Sequence, residues 1–526
     1  MIKNFVNRLM GIRPASSKNP YGQEKRIPFK DHHIDPSLID ERAHDVVRTL
    51  QQRGFIAYVV GGAVRDLLLG LRPKDFDVAT NATPEQVKAC FRRAFIIGRR
   101  FRIVHVVYGR GREHEVIEVS TFRAFLESAD AKQFTGNEKT SRHDLAQVSH
   151  AVDASGRVLR DNVWGPIDED ATRRDFTVNA MYYDPQTQEV VDFHKGIQDA
   201  KKHVIRMIGD PAVRYREDPI RIIRAIRFAA KLAPLGFKLE TKTAAPLKKM
   251  AQLLHDVPPS RMFDEMLKLL QTGHALASIE QLQQHGLATG VYPLLDLIVS
   301  RSGDPLVHQA LLDTDRRVQE MKPVVASFLL ACVLWSDVRD AWVARMNHRQ
   351  PLFPALQEAI DEVFDARIGE VSGRGKLGAD MREIWSMQPR FEKRLGHAPL
   401  GLLDQPRFRA AFDFMRLRAL SQEIDPTLGE WWEAFSLADP QERTHMLEAV
   451  RLEHQSAQAT SSKGPKRVRA LPVTKPGAQS LPDHGVARPE TSVSPHSGED
   501  GGAQDENAPA PRRRRRRRTP RTDSPE

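Results

Sequence analysis

Two aspartates one residue apart, Asp75 and Asp77 in Lys74-Asp75-Phe76-Asp77, follow closely on a glycine pair, Gly61 and Gly62, and the run Ala63-Val64-Arg65-Asp66-Leu67-Leu68-Leu69-Gly70. Each part implies a chemistry. Side chains alternate along a β-strand, so carboxylates at i and i+2 face one side, about 6–7 Å apart. That span suits a pair of hard divalent cations about 3.5–4 Å apart, which activate one oxygen and stabilise a leaving one. A strand ending in two glycines lets the backbone approach a bulky anion. The helix behind it directs free N–H groups at that anion, and Arg65 in its first turn adds a planar fork of donors for a phosphate. An isolated Asp-x-Asp is weak evidence. Asp168-Glu169-Asp170 and Asp313-Thr314-Asp315 are triplets of the same kind, read as solvated acids or helix caps. The setting singles out Asp75 and Asp77, because acids are poor strand formers and sites that break local rules are often functional.

Two later clusters suit the same site. In Arg173-Arg174-Asp175-Phe176-Thr177-Val178-Asn179, Asp175 is a candidate third carboxylate, as metal ligand or general base, and Arg174 a candidate phosphate grip. A surface ion pair is the competing reading. Farther on, Asp218 before Pro219 has the pattern of a helix N-cap with proline at the first helical position. Arg221, Arg224 and Arg227 then step by three, drifting about 60° each time, and form a basic ribbon beside an isoleucine face. With almost no acids between them, they point to an anionic partner.

The elements that position these residues follow from pattern. Pro36 to Arg53 reads as helix, Phe55 to Val60 as strand, Val64 to Leu69 as helix and Asp75 to Thr80 as strand. Thr83-Pro84-Glu85 starts another helix. Ile103 to Tyr108 and Glu115 to Phe122 are β-rich, and Asn179 to Tyr183 and Glu189 to Phe193 flank a hairpin turn at Asp184-Pro185-Gln186. After Asp210 the pattern turns helical, with Ile220, Ile223, Ile226 and Ala230 on one face and breaks at Pro258-Pro259, Pro305, Pro323, Pro351 and Pro354. Residues 1–30 form an extension, 31–210 a mixed head, 211–455 a helical region and 456–526 a tail.

Composition bounds the rest. The 526 residues exceed a single core and suggest roughly three units. Mean hydropathy is −0.47, and no apolar run reaches the ~20 residues of a membrane span. Cys90 and Cys332 lie far apart, which fits a reducing, cytoplasmic setting and excludes a disulfide framework. The formal charge is +11, of which the tail from Ser456 supplies +6, from 14 Lys/Arg against 8 Asp/Glu. That tail is rich in Pro, Ser, Gly and Ala and reads as disordered. Its run Arg512, Arg513, Arg514, Arg515, Arg516, Arg517 and Arg518 is suited to neutralising the phosphates of a polyanion, without sequence specificity.

The segments GGAVRDLLLG with KDFD, ATRRDFTVNA, and REDPIRIIRAIRF, in that order and spacing, resemble the class II nucleotidyltransferases, the poly(A) polymerases and tRNA CCA-adding enzymes. The resemblance is strong over about residues 55–275 and looser beyond. It implies an α+β fold: a small nucleotidyltransferase head with a mixed sheet, an all-helical neck (211–275) and body (276–455), and the basic tail. Gly61, Gly62 and Arg65 then hold a triphosphate, Asp75 and Asp77 bind Mg²⁺ (two ions), and Asp175 is the third acid, with Arg174 touching the nucleotide. Asp218 and Arg221 resemble the pair that reads the base edge, and Arg224 and Arg227 resemble nucleotide-binding arginines.

Ile96-Ile97-Gly98-Arg99-Arg100-Phe101-Arg102-Ile103-Val104-His105-Val106 resembles the segment that marks poly(A) polymerases within that family, and the basic extension points the same way. The implied activity is template-independent addition of AMP from ATP to RNA 3′ ends, with release of pyrophosphate. Two alternatives remain at this point: tRNA CCA addition, and a non-catalytic RNA-binding scaffold. An RNA-decay or helicase partner is left unspecified.

Overall fold

The computed structural model describes residues 22–98, 102–109, 114–125, 132–134, 150–153, 158–161, 163–367 and 375–461. The arginine run 512–518 lies outside the described residues, as do Arg99, Arg100 and Phe101. The chain divides into units 1–459 and 460–526, and every element below except the last two residues of the final helix falls in the first.

Valine-rich segments with alternating burial build the head. Its strands are β1 (Lys25–Ile27), β2 (Ala57–Val60), β3 (Asp77–Thr80), β4 (Ala94–Ile97), β5 (Ile103–Tyr108) and β6 (Glu115–Thr121). Three short strands follow, β7 (Lys132–Phe134), β8 (His150–Asp153) and β9 (Val158–Asp161), which form a sheet of their own. The hairpin β10 (Met181–Asp184) and β11 (Glu189–Asp192) completes an eight-stranded sheet of order β1-β11-β10-β2-β3-β6-β5-β4. Within it only β3 and β6 run parallel, in a register that sets Asp77 beside Glu118.

Two helices cover one face of this sheet. Helix α1 (Glu41–Gln52) starts at Asp40, whose carboxylate accepts from the Arg42 N–H at 2.8 Å, and buries Ala43, Val46, Val47 and Leu50 at helical spacing. Helix α2 (Gly62–Leu68) leaves β2 through the glycine pair. Helix α3 (Pro84–Cys90) starts in a reciprocal cap between Thr83 and Gln86. Helices α1 and α3 pack with Val59, Val78, Val104, Val106, Ile117 and Val119 in one core. On the other face, helix α4 (Ile167–Arg173) lays Ala171 against Tyr58, Val60, Ala79 and Tyr182.

The expected strand Asp75–Thr80 is shorter, beginning at Asp77. Its partner β2 gives out at Gly61, where the backbone turns into α2, so Asp75 has no ladder to join and sits in a bend. The expected helix Pro36–Arg53 is a single 3₁₀ turn, Pro36–Leu38, followed by α1. Lys25–Ile27, in the segment read as an extension, pairs with β11.

Beyond the head come α5 (Pro211–Glu217), α6 (Ile220–Leu232) and α7 (Pro259–Leu270). Ile220, Ile223, Ile226 and Ala230 of α6 are all buried, and the three isoleucines enter a core that continues through Met266 and Leu295 to Trp335, Trp385 and Phe414. Neck and body are thus tied by shared packing. Pro259 and Pro305 each open a helix, as the missing N–H and fixed φ of proline favour. The final helix, Pro440–Ser461, carries regular structure past residue 456, where the tail was expected to begin.

Candidate active site

The glycine turn comes first. Gly61 has φ +79° and ψ −136°, a backbone conformation closed to residues with a Cβ, and its N–H donates to the Met181 carbonyl at 3.3 Å. A Cβ there would stand 3.8 Å from Nη1 of Arg174. A Cβ added at Gly62 would be in ordinary contact with Arg65, 3.4 Å from its Nη2.

Arg65 is 2% exposed. Its Nη1 donates to the Asn179 side-chain oxygen at 2.7 Å, and its Nε and Nη2 donate to Oδ1 of Asp66 at 2.9 and 2.7 Å. These contacts spend its fork on a brace between α2 and the segment before β10. In the structure it holds the turn together instead of facing the cleft.

Arg174 sits closer to the chemistry. Its Nε and Nη2 donate to Oδ2 of Asp170 at 3.2 and 3.0 Å, and its Nε also reaches the Tyr182 hydroxyl at 3.2 Å. Asp170 is buried and accepts from Tyr182 Oη at 2.8 Å and from the Arg123 N–H at 3.1 Å. Burial raises the pKa of Asp170, but Arg174 and Arg173 overcome that and hold it below the usual carboxylate range. Of the two triplets first read as solvated acids or caps, one therefore supplies the anchor of Arg174. In the other, Asp313 is buried and ion-pairs with Arg316 and Arg317.

Asp77 opens β3 facing this group. It keeps a solvent-facing surface, yet the protein around it, then the Glu118 carboxylate, push its pKa up to about 6, with Asp75 adding to the effect and Arg174 opposing it. Asp75 and Glu118 thus both bear on Asp77. Glu118 was missed by sequence reading. The signal for it was alternation in β6, where Ile117 and Val119 face the core and Glu118 faces the cleft. His105 Nε2 lies 3.2 Å from Oε1 of Glu118.

Asp175 does not join those three. Its Oδ1 accepts from the Phe176 N–H at 2.8 Å, and its Oδ2 accepts from Arg224 Nε and Nη2 at 2.8 and 2.6 Å. Burial raises its pKa, but Arg224 wins and holds it low. The segment and α6 are thereby clamped together.

The remaining neck residues are also paired. Asp218 was read as an N-cap, but the residue flanking α6 is Pro219, in helical conformation. The Asp218 carboxylate instead accepts both prongs of Arg261 on α7, at 2.6 and 2.7 Å. Arg221 donates to the Arg214 carbonyl at 2.9 Å, Oε2 of Glu217 at 3.0 Å and the Arg173 carbonyl at 3.3 Å. Arg227 ion-pairs with buried Glu265 at 2.7 Å. The Phe228 ring gathers Arg227, Arg224 and Arg65 at 4.8, 5.5 and 5.9 Å. Lys231, also missed in sequence, lies where Arg65, Arg227, Asp66 and Asp75 all act on it. Burial and Arg65 lower its pKa, against the two acids.

The donor set suits a hard cation. Among the described residues no three His, Cys, Asp or Glu side chains close on one point. Magnesium commonly takes only one or two carboxylates from the protein and completes its shell with water and substrate phosphates, so Asp75 and Asp77 suffice. No described helix is long and apolar enough to cross a membrane.

Comparison with known proteins bears on the whole chain. Residues 57–206 match the family model of the poly(A) polymerase head domain, 236–298 that of the "probable RNA and SrmB-binding site of polymerase A", and 348–470 that of the polymerase A arginine-rich C-terminus. Poly(A) polymerase I of Salmonella typhi is 37% identical over 455 residues, covering 85% of this chain and 93% of its own. Poly(A) polymerase I of Haemophilus influenzae is 39% identical over 423 residues, 79% of this chain and 88% of its own. The CCA-adding enzyme of Lactobacillus helveticus is 36% identical over 228 residues, but covers only 43% of this chain and 49% of its own.

Proposed function

The chain belongs to the poly(A) polymerase family, and on that premise we propose how its cleft adds AMP from ATP to RNA 3′ ends without a template. It is a polynucleotide adenylyltransferase. The 3′-hydroxyl oxygen attacks the α-phosphorus as its proton passes to solvent, the bond from that phosphorus to the oxygen bridging to the β-phosphate breaks, and pyrophosphate leaves. The single observation that carries the reading is Asp77, its carboxyl pKa pushed up by burial and by Glu118 and Asp75, facing Arg174 across the glycine turn.

Asp75 and Asp77 are the residues that would hold magnesium, which when bound would supply positive charge to the phosphate undergoing transfer. Gly61 and Gly62 let the triphosphate lie against backbone that a side chain would obstruct, and Arg65 fixes their conformation. Arg174 and Lys231 offer cationic donors to the phosphates. Asp175 contributes by orienting Arg224, which with Arg227 lines the neck side of the nucleotide. Most of the acceleration is positioning and fixed charge, so few groups need to move.

Selection of adenine rests on the neck. A carboxylate and a guanidinium suit the amino donor and ring acceptor of adenine, and Asp218 and Arg221 are that pair here. Both are held: Asp218 by Arg261, and Arg221 by Glu217 and two carbonyls. Readers fixed in one arrangement favour one base, which argues for adenylation and against CCA addition. RNA is the partner along the neck, body and tail in a cytoplasmic setting. The run Arg512–Arg518 adds phosphate neutralisation, so deleting residues after 461 is expected to weaken RNA binding and flatten its salt dependence while sparing nucleotidyl transfer.

Incubation of the full chain with single nucleoside triphosphates, on oligo(A) and on tRNA lacking its 3′ end, tests this. Long products from ATP alone are expected. Incorporation of CTP that stops after two residues would overturn the reading.

A further inference from the structure

The outer half of the head sheet carries a feature that nucleotide binding leaves unused. Strand register lays two rows across β3, β6, β5 and β4. One runs Asp77, Glu118, His105, Phe95, and the next runs Ala79, Ser120, Ile103, Ile97. Residues between them, Val78, Val119, Val104 and Ile96, turn to the core packed by α1 and α3. Both rows therefore lie on the opposite face. There α4 covers Ala79, but toward β4 the face opens: Phe95 is 57% exposed, and Ile97, Ile103 and His105 are half-buried.

A large exposed aromatic on the edge strand is poor design for stability alone, since it buries little and invites association. Its position supplies a reason. The row that begins at the catalytic acid Asp77 ends at Phe95, three strand spacings or about 14 Å away. Any RNA whose 3′ end meets Asp77 must leave the cleft in some direction, and this face is continuous with the site. Of the nearby cations, Arg93 just before β4 contacts the Gly109 carbonyl, while Arg102 just before β5 turns to Glu85 on α3, which packs the opposite face. An exposed aromatic ring is a platform on which proteins hold single-stranded nucleic acid without reading its sequence.

We propose that Phe95, backed by Ile97 and Ile103, is a stacking platform for a base of the RNA strand upstream of its 3′ end. The proposal rests on the adenylyltransferase reading and adds to it the path of the RNA. At roughly 3.4 to 7 Å per nucleotide, from stacked to fully extended, about 14 Å puts the stacked base about two to four nucleotides from the terminus. Because every base has a π-face, the platform tolerates any sequence. It also assigns a task to the poly(A)-polymerase-like segment Ile96–Val106, most of which forms the β4–β5 hairpin.

The test uses the full chain with oligo(A) primers carrying 2-aminopurine at successive positions. Phe95→Ala is expected to raise KM for the primer roughly tenfold, in the range found for losing one stacked base. KM for ATP and kcat at saturating RNA should stay within about twofold. Fluorescence quenching on binding should peak at one position two to four nucleotides from the end, vanish in Phe95→Ala and return in Phe95→Trp. Phe95→Leu, which keeps apolar surface without a ring system, should resemble Phe95→Ala. The proposal is overturned if Phe95→Ala leaves primer KM unchanged, if Phe95→Leu behaves as wild type, or if Phe95→Ala fails to fold, which would make Phe95 a core residue. Wild-type protein that incorporates no AMP would instead strike the parent reading, so the two failures are separable.

Discussion

Two groups of carboxylates face each other across the cleft, and they are treated in opposite ways. On the neck side, Asp175 and Asp218 are each gripped by an arginine, Arg224 and Arg261, through two short hydrogen bonds. On the sheet side, Glu118 and Asp75 act on Asp77, whose pKa rises to about 6. Acids gripped by an arginine of the same chain brace the neck. A carboxyl whose pKa is pushed up beside other acids is suited to a cation from outside, which is the role proposed for Asp75 and Asp77.

The sharpest way to break that contrast is to remove a sheet-side acid. Asp77→Ala should lower AMP incorporation in single-turnover assays by about a thousandfold or more, since several kcal/mol of transition-state stabilisation depends on it. A modest loss would mean that the sheet-side acids are not the reacting centre. On the neck side the dominant effect should fall on stability. Arg224→Ala strands the buried Asp175 charge, at a cost of about 2–3 kcal/mol in urea unfolding, toward the low end because the Arg224 side chain is 32% exposed. Replacing Asp175 by Asn and Arg224 by Gln together should cost less than the two singles summed, by about 1–3 kcal/mol.

Smaller effects sharpen the same picture. Arg261→Ala frees Asp218 and should lower the kcat/KM ratio of ATP over CTP by about tenfold, and Arg261→Lys should not restore it, lacking the planar fork. The smallest effect concerns pH. The folded pKa of Asp77 is raised, so the stability it contributes is complete below the ordinary carboxylate value and is lost as pH rises through about 6. In chelator, Asp77→Asn should therefore have a slightly higher Tm than wild type at pH 7.5, and the difference should vanish toward pH 4.

Much of this was legible in the linear chain. The buried face of α6 was plain from Ile220, Ile223, Ile226 and Ala230, because a period near 3.6 is a local property. Strand β5 was bounded at the observed residues, and the glycine pair was recognisable beside Asp75 and Asp77. Strand β4 and Lys25–Ile27 were not, being too short for a pattern, and they are strands only because neighbours pair with them. Glu118 was hidden among surface acids, because its nearness to Asp77 is set by the parallel register of β3 and β6, which joins residues 41 positions apart in the chain.

Sequence alone determined which residue types are present for phosphoryl chemistry, where the chain changes from sheet to helix, and which family the order of motifs resembles. All of these depend on neighbours a few positions apart. Only the tertiary structure decided that Glu118 comes beside Asp77, that Asp175 turns to Arg224, that Arg261 grips Asp218, and that Phe95 ends a row begun at Asp77. Electrostatic partnership depends on distance in space, and segments far apart in the chain come within reach of each other only when the sheet and the neck have folded.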